Sequence, residues 1–270
     1  MFKNMFKILR EQIDSFVLVQ RLAIYQIKID NKNNYLGSLW EILNPAIQIS
    51  IYWFVFGVGI NNGREVDGVP FLPYLIVGIS MWFFMNQGIL EGTKSIVSKI
   101  HMVAKMNFPL SAIPAYVLTA KFYSHFILLF ITIVLIGFYG FYPTWTFLQI
   151  PLMLFSAYML VFAFSLLFST LAVLVQDIHM IVQAMMRVLF YMSPILWDPK
   201  LFLPESLQFL LKLNPIHYLA DFYRGALLHN EWYIVEHWQY TLYFWCVILV
   251  LLLIGSAIHV KFRNQFLDYI

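Results

Sequence analysis

The sequence predicts an all-α integral membrane protein: six transmembrane helices, an N-terminal amphipathic interface helix and an outer re-entrant hairpin. Three observations carry that reading. Hydrophobic residues make up 61% of the 270 and charged residues 11%, against about 45–50% and about 25% in soluble domains. Long apolar runs recur, the clearest being residues 246–258, CVILVLLLIGSAI, between Trp245 and the pair Lys261 and Arg263. Lysine and arginine gather at alternate junctions between those runs. The length alone would allow one or two globular domains, but this much hydrocarbon favours a single membrane bundle with short loops.

A bilayer-crossing helix needs about 20 mainly apolar residues. Six segments reach that length, approximately Leu39–Ile60, Pro73–Leu90, Phe122–Phe141, Phe147–Val175, Met180–Trp197 and Trp238–Val260. The fourth is long enough to tilt, or to be broken near Ser165 and Ser169.

Basic residues are retained on the cytoplasmic side of a membrane protein. Six alternating spans put Lys3, Lys7, Arg10, Arg21, Lys28, Lys32, Lys94, Lys99, Lys105, Lys261 and Arg263 on one side. The other side holds Arg64, Lys200, Lys212 and Arg224 among a larger number of carboxylates. Both termini are therefore expected in the cytoplasm, and five or seven spans would break the agreement.

Before the first span, Phe6, Leu9, Ile13, Phe16, Ile24 and Ile27 recur at helical spacing and form one apolar stripe beside basic residues. Such a helix lies in the headgroup layer or packs on a soluble partner. Its charges, and its lack of a continuous apolar core, do not read as a cleavable signal peptide. The chain thus divides into residues 1–34 (interface helix and polar turn), 35–262 (six-span domain) and 263–270 (cytoplasmic tail). Within the domain, residues 198–237 contain two short apolar pieces, Leu207–Leu213 and Tyr218–Leu228, around Asn214-Pro215. They form either a re-entrant hairpin or an outward loop packed over the bundle. Non-helical backbone at membrane depth is tolerated only against protein or a watery cavity.

Charges and motifs exclude several function classes. A net charge of +3 with no Lys/Arg block does not suit nucleic acid. One cysteine, Cys246, permits no internal disulfide. No phosphate-binding G-x-x-x-x-G-K-[ST] loop, H-E-x-x-H or G-x-S-x-G occurs. Glu41, Glu91, Lys121 and Arg187 are the charges within or near spans, where polar groups are expensive. Arg187 lies deepest and is expected to pair with Glu91 or with a substrate phosphate. His125 reads as a hydrogen-bonded packing residue rather than a metal ligand. Aromatic residues, 19% of the chain, suit interfacial belts or a path for a chain of sugars.

The polar junctions, in order, resemble a family. They are Asn34-Tyr35-Leu36-Gly37, Trp40-Glu41-Ile42-Leu43-Asn44-Pro45, Lys105-Met106-Asn107-Phe108-Pro109-Leu110, Ser193-Pro194-Ile195-Leu196-Trp197, Leu213-Asn214-Pro215-Ile216 and Tyr223-Arg224. This pattern is similar to the membrane permeases of polysaccharide-exporting ABC transporters. Val77–Phe84, Asn86–Lys94 and the closing Arg263–Ile270 segment add a nearer likeness to the TarG/TagG type that exports wall teichoic acid.

The resemblance implies a bacterial cytoplasmic-membrane permease with no catalytic site or cofactor of its own. Two copies would stand over two separate ATPase subunits that bind ATP and Mg2+. The cargo implied is a polymer attached to undecaprenyl pyrophosphate. Lys99, Ile100, Val103, Lys105, Asn107 and Phe108 would belong to a coupling helix at about residues 95–107, and Asp177 to a second ATPase contact. Tyr52, Phe56, Trp82, Phe83, Phe84, Tyr191 and Trp197 would line the channel together with Arg187. Tyr35, Gly37, Trp40, Glu41 and Pro45 would form the interface-helix gate. The competing classes are an ion-driven flippase working alone and an integral membrane glycosyl- or acyltransferase. The first wants mid-membrane carboxylates and the second a paired acidic site in a large loop.

Overall fold

The computed structural model describes residues 1–32, 34–60, 65–103, 109–197, 199 and 203–268. Eleven α-helices run through them: α1 Phe2–Asp14, α2 Phe16–Asn31, α3 Trp40–Tyr52, α4 Phe71–Val103, α5 Ala112–Gly137 and α6 Ile150–Leu174, then α7 Ile178–Met192, α8 Glu205–Lys212, α9 Pro215–Arg224, α10 Tyr233–Glu236 and α11 Trp238–Phe262. Wider π-helical turns extend α3 over Trp53–Ile60 and α9 over Gly225–His229.

Five helical stretches among the described residues are long and apolar enough to cross a membrane: Gly37–Gly59, Phe71–Lys99, Ala112–Gly137, Trp145–Leu174 and Trp238–Phe266. The sequence led us to expect six at that length. The missing one is α7, which has 15 residues and stops at Met192. Pro194 explains the stop, because the residue before proline is driven out of the helical region, and Ser193 is indeed extended at ψ 129°.

Of the two alternatives for the fourth span, a tilt or a break, the break near Ser165 and Ser169 does not occur, since α6 is continuous from Ile150 to Leu174. Nor does the second helix end near Leu90. It runs unbroken to Val103, 33 residues in all, because nothing after Gly92 interrupts it and Thr93, Ser95 and Ser98 return their hydroxyls to its own carbonyls. At 1.5 Å per residue α4 is about 50 Å long, well beyond the roughly 30 Å of bilayer hydrocarbon.

Helix α4 is the central post. Its apolar stretch is 83% buried within the chain, against 11% for the first span, and it packs on α5, α6, α7 and α9. The α4–α6 seam is closed by small residues. A methyl group at Gly88 would lie 2.7 Å from Val161, and one at Gly92 would lie 2.1 Å from the Ser165 hydroxyl. Small residues four apart let helix backbones approach, which is how helices associate where lipid supplies no hydrophobic drive.

Both termini lie at one end of the bundle. Arg263, just past α11, donates from Nη1 to Glu11 Oε1 of α1 at 2.8 Å, and Gln12 donates to the Ser111 carbonyl at 3.1 Å. That near end carries α1, α2, the end of α4, the start of α5 and the α6–α7 turn. The far end gathers residues 65–70, the α5–α6 connection and α8–α10, joined by Thr144 to Asn230 at 2.7 Å and by Thr146 to the Ala226 carbonyl at 3.0 Å.

Candidate functional site

At the near end, α2, α3, α4 and α5 enclose a cleft of about 210 Å³. Trp40, Glu41 and Pro45 line it, with Phe83 and Phe84 across from them. Glu41 is held by both oxygens: Asn31 of α2 donates at 2.9 Å and the Ser124 hydroxyl of α5 donates to the other. Lys121 pairs with Asp30 at 3.1 Å, both side chains partly buried. Three elements are thus fastened at one level by charge-assisted bonds, stronger than neutral ones.

Gly37 adopts φ +52°, the left-handed region that favours glycine, and so turns the chain from α2 into the first span. Pro45 is buried inside α3. Tyr35, expected beside them, is instead fully exposed and stands apart from the cleft.

The aromatic residues predicted for a channel divide into two groups. Tyr52, Trp82 and Tyr191 surround Phe190, at ring distances of 5.8, 5.1 and 5.3 Å, and Phe56 meets Tyr52 at 6.4 Å. Phe190 is the hub of this α3–α4–α7 face, and no pattern in the chain singles it out from its aromatic neighbours. Phe84 points the other way, stacked on His125 at 5.0 Å and near Phe122 at 5.3 Å. His125 is fully buried and shares a hydrogen bond of 2.9 Å with Tyr223. Phe83 is buried beside the cleft, and Trp197 lies at the far end, its indole donating to the Tyr191 carbonyl at 3.1 Å.

Arg187 corrects the sequence reading. It is exposed and donates to the Gln183 carbonyl of its own helix at 3.4 Å, so the expected pair with Glu91, itself exposed, is absent.

Of the residues expected to meet an ATPase, Lys99 is half-exposed near the end of α4 and Asp177 is exposed in the α6–α7 turn. Ile100 and Val103 belong to α4. Lys105, Asn107 and Phe108 lie outside the described residues.

The far end assembles motifs that stand far apart in the chain. Arg224, 4% exposed, donates to the carbonyls of Pro194 at 2.7 Å and Ile195 at 3.1 Å, with its guanidinium 3.5 Å from the centre of the Tyr74 ring. Asn214 caps α9 through Ile216 N at 3.0 Å and donates to the Ser193 hydroxyl at 2.8 Å. An arginine read as a loop charge is therefore the buried pin between α4, α9 and the end of α7. Burial pushes the neighbouring His217 below its ordinary value, against the pull of Asp221, while burial raises Tyr233.

No group of His, Cys, Asp or Glu able to hold a metal ion occurs among the described residues. Comparison with known proteins supplies the family. The chain is 24% identical to the O-antigen export system permease protein RfbA of Myxococcus xanthus, over 98% of this chain and all of that protein. It is 23% identical to the protein of the same name from Klebsiella pneumoniae, over 94% of this chain and 95% of that protein. These relatives carry the O-antigen name rather than the teichoic acid name that the nearer likeness implied. A model of the ABC-2 type transporter family matches residues 17–228, from α2 to the π-helical turn after α9. That match spans more than half of the chain and every element from the near-end cleft to the far-end pin, and the chain belongs to the ABC-2 type transporter family.

Proposed function

We propose that this chain is the membrane permease subunit of an ATP-driven exporter of a lipid-linked polysaccharide in the bacterial cytoplasmic membrane. The observation that carries the reading is the end-to-end similarity to O-antigen export permeases on a bundle of long apolar helices. In this reading α7 makes the sixth crossing and both termini face the cytoplasm. The helices α1 and α2 form the interface layer, and α8–α10 form the re-entrant cap on the outer side.

Two copies stand side by side over two ATPase subunits, which bind ATP and Mg2+ and do the hydrolysis. The cargo is a polymer on a polyprenyl pyrophosphate carrier such as undecaprenyl pyrophosphate. Wall teichoic acid is the finer proposal, supported by the motifs of residues 77–94, while the relatives support the broader polysaccharide class.

The mechanism follows from rigidity. The α4 extension reaches past the membrane and is continuous with the post that carries Trp82, so a push on its end is transmitted as rigid-body movement. The α3–α4–α7 aromatic face around Phe190 offers flat, weakly polar surface for sugar rings. The cleft at Glu41 ties α2 to α3 and α5, so the interface layer moves with the first span. Desolvating the pyrophosphate is costly, and in this reading Arg187, exposed on α7 about one turn before Phe190 and Tyr191, offsets its charge.

An ion-driven carrier would want mid-membrane carboxylates, and Glu41 is already bound at the near end. Substituting Ile100 or Phe108 with aspartate should leave the partner ATPase active but stop export in cells. Unchanged export would reject the coupling assignment.

A further inference from the structure

A cavity of about 690 Å³ opens at the far end between α9, α10 and the first turns of α11. It lies away from the aromatic face and from the near-end cleft. Its size falls within the roughly 300–1,000 Å³ of small-molecule sites.

Its chemistry is unusual for a membrane protein surface. Carboxylates enter from four places: Asp67 before α4, Asp221 on α9, Glu231 before α10 and Glu236 at its end. Lys212 and Arg224 are the cations among the described lining residues, and Arg224 is committed to carbonyls. An anion is therefore disfavoured, and no cluster suited to a metal ion exists among the described residues.

A second observation is independent of those acids. Buried polar atoms nearly always have partners, and each exception calls for an explanation such as a bound water or ligand. Among the described residues, four buried side-chain atoms without a hydrogen bond belong to residues lining this one cavity: His217 Nδ1, Arg224 Nε, His229 Nε2 (3.6 Å from Asp67 Oδ2) and Tyr240 OH. His217 is 6% exposed and Arg224 is 4% exposed. Asp221 Oδ2 lies 3.4 Å from His217 Nδ1 without the alignment of a hydrogen bond. Trp238, largely exposed, also lines the cavity, and no other aromatic ring among the described residues stacks on it.

Carboxylates and orphaned imidazole and phenol groups around an open indole face suit a ring with many hydroxyls. Vicinal hydroxyls donate to carboxylates and accept from N–H and O–H groups. The slightly positive C–H face of a pyranose lies on the negative face of an indole. We propose that this cavity is a binding site for one saccharide unit of the exported polymer. Asp221 and Glu231 receive its hydroxyls, His217 and Tyr240 complete the hydrogen bonding, and Trp238 lies under the ring. The proposal rests on the exporter reading and adds a holding point on the exit side. A growing length of polymer that is gripped there is kept from sliding back while the ATPase resets.

The test is saturation-transfer NMR on the full chain in lipid nanodiscs, with glucose, N-acetylglucosamine and N-acetylmannosamine as free probes. Wild-type protein should transfer saturation to the ring protons of at least one sugar. Tyr240→Phe should weaken that binding by about fivefold, the worth of one hydrogen bond of about 1 kcal/mol. Because its hydroxyl has no hydrogen-bond partner among the described residues, the same variant should melt no lower than wild type, which separates ligand binding from a structural role. Trp238→Leu should abolish the transfer. No transfer from the wild type, or transfer that both variants leave unchanged, overturns the site. Export in cells is read in parallel. A silent cavity with intact ATP-dependent export rejects the site alone, whereas sugar binding without any such export rejects the link to an exported polymer.

Discussion

Arg224 closes over the bare backbone of Gly78: a methyl group there would stand 2.6 Å from Nη2. The glycine is what allows a guanidinium to lie between α4 and the carbonyls of Pro194 and Ile195. Gly78→Ala should therefore displace the arginine and leave a buried charge poorly paired. Overpacking of this kind costs about 1–3 kcal/mol. Thermal unfolding of the purified chain should shift down accordingly, and an unchanged midpoint would show that the side chain can move aside freely.

The α4–α6 seam makes a sharper prediction, because both partners are small. Gly92→Ala should impair folding through its clash with Ser165, and Ser165→Gly alone should have little effect. With both changes the nearest atom left is the residue 165 backbone at 3.6 Å, an ordinary contact. The double variant should recover most of the stability. A double-mutant cycle showing no coupling between the two sites would contradict this packing.

Glu11 fastens α1 to the near end of the bundle. It accepts from Arg263 and from the Ser111 hydroxyl, and both Glu11 and Arg263 are mostly buried. Glu11→Ala leaves the arginine without its partner, a loss that approaches about 3 kcal/mol for buried pairs. Amide exchange in α1 should rise while exchange in the α4–α6 seam stays slow. Uniform exchange across the chain would deny α1 a local fastening.

The cap should weaken in acid. Burial lowers His217, the Asp221 charge opposes that shift, and Arg224 and Lys212 reinforce it. The folded state therefore prefers the neutral imidazole. Stability is fully present above the ordinary value of 6.5 and is lost as pH falls below it, at up to about 1.4 kcal/mol per pH unit. His217→Gln should flatten that part of the pH dependence of unfolding, and an identical slope in wild type and variant would exclude His217 as its source.

Hydropathy made three of the crossings, the first, fourth and sixth, legible almost to their ends, because lipid imposes one constraint on every residue of a span; it placed the start of α5 at Phe122, although the helix begins at Ala112. It overestimated α7, where Pro194 outranked the apolar composition of the residues after Met192. It cut α4 short, since polar residues after Leu90 read as a loop although serine and threonine hydroxyls satisfy themselves within the helix. Motif order exposed the far-end residues as important but gave no contact between Asn214 and Ser193, or between Arg224 and Pro194. The Glu11–Arg263 bond joins the two ends of the chain, and no local pattern announces such a pair. For Arg187 the depth along the helix was readable, but the face it occupies, away from Glu91, was not.

The most direct measurement is reconstitution of the chain in liposomes with and without its ATPase partner, following transfer of a fluorescent lipid-linked polymer to the opposite side. The account predicts transfer that needs both proteins and ATP, and that stops in Phe108→Asp while ATP hydrolysis continues. Transfer by the chain alone, driven by an ion gradient and indifferent to ATP, would contradict it.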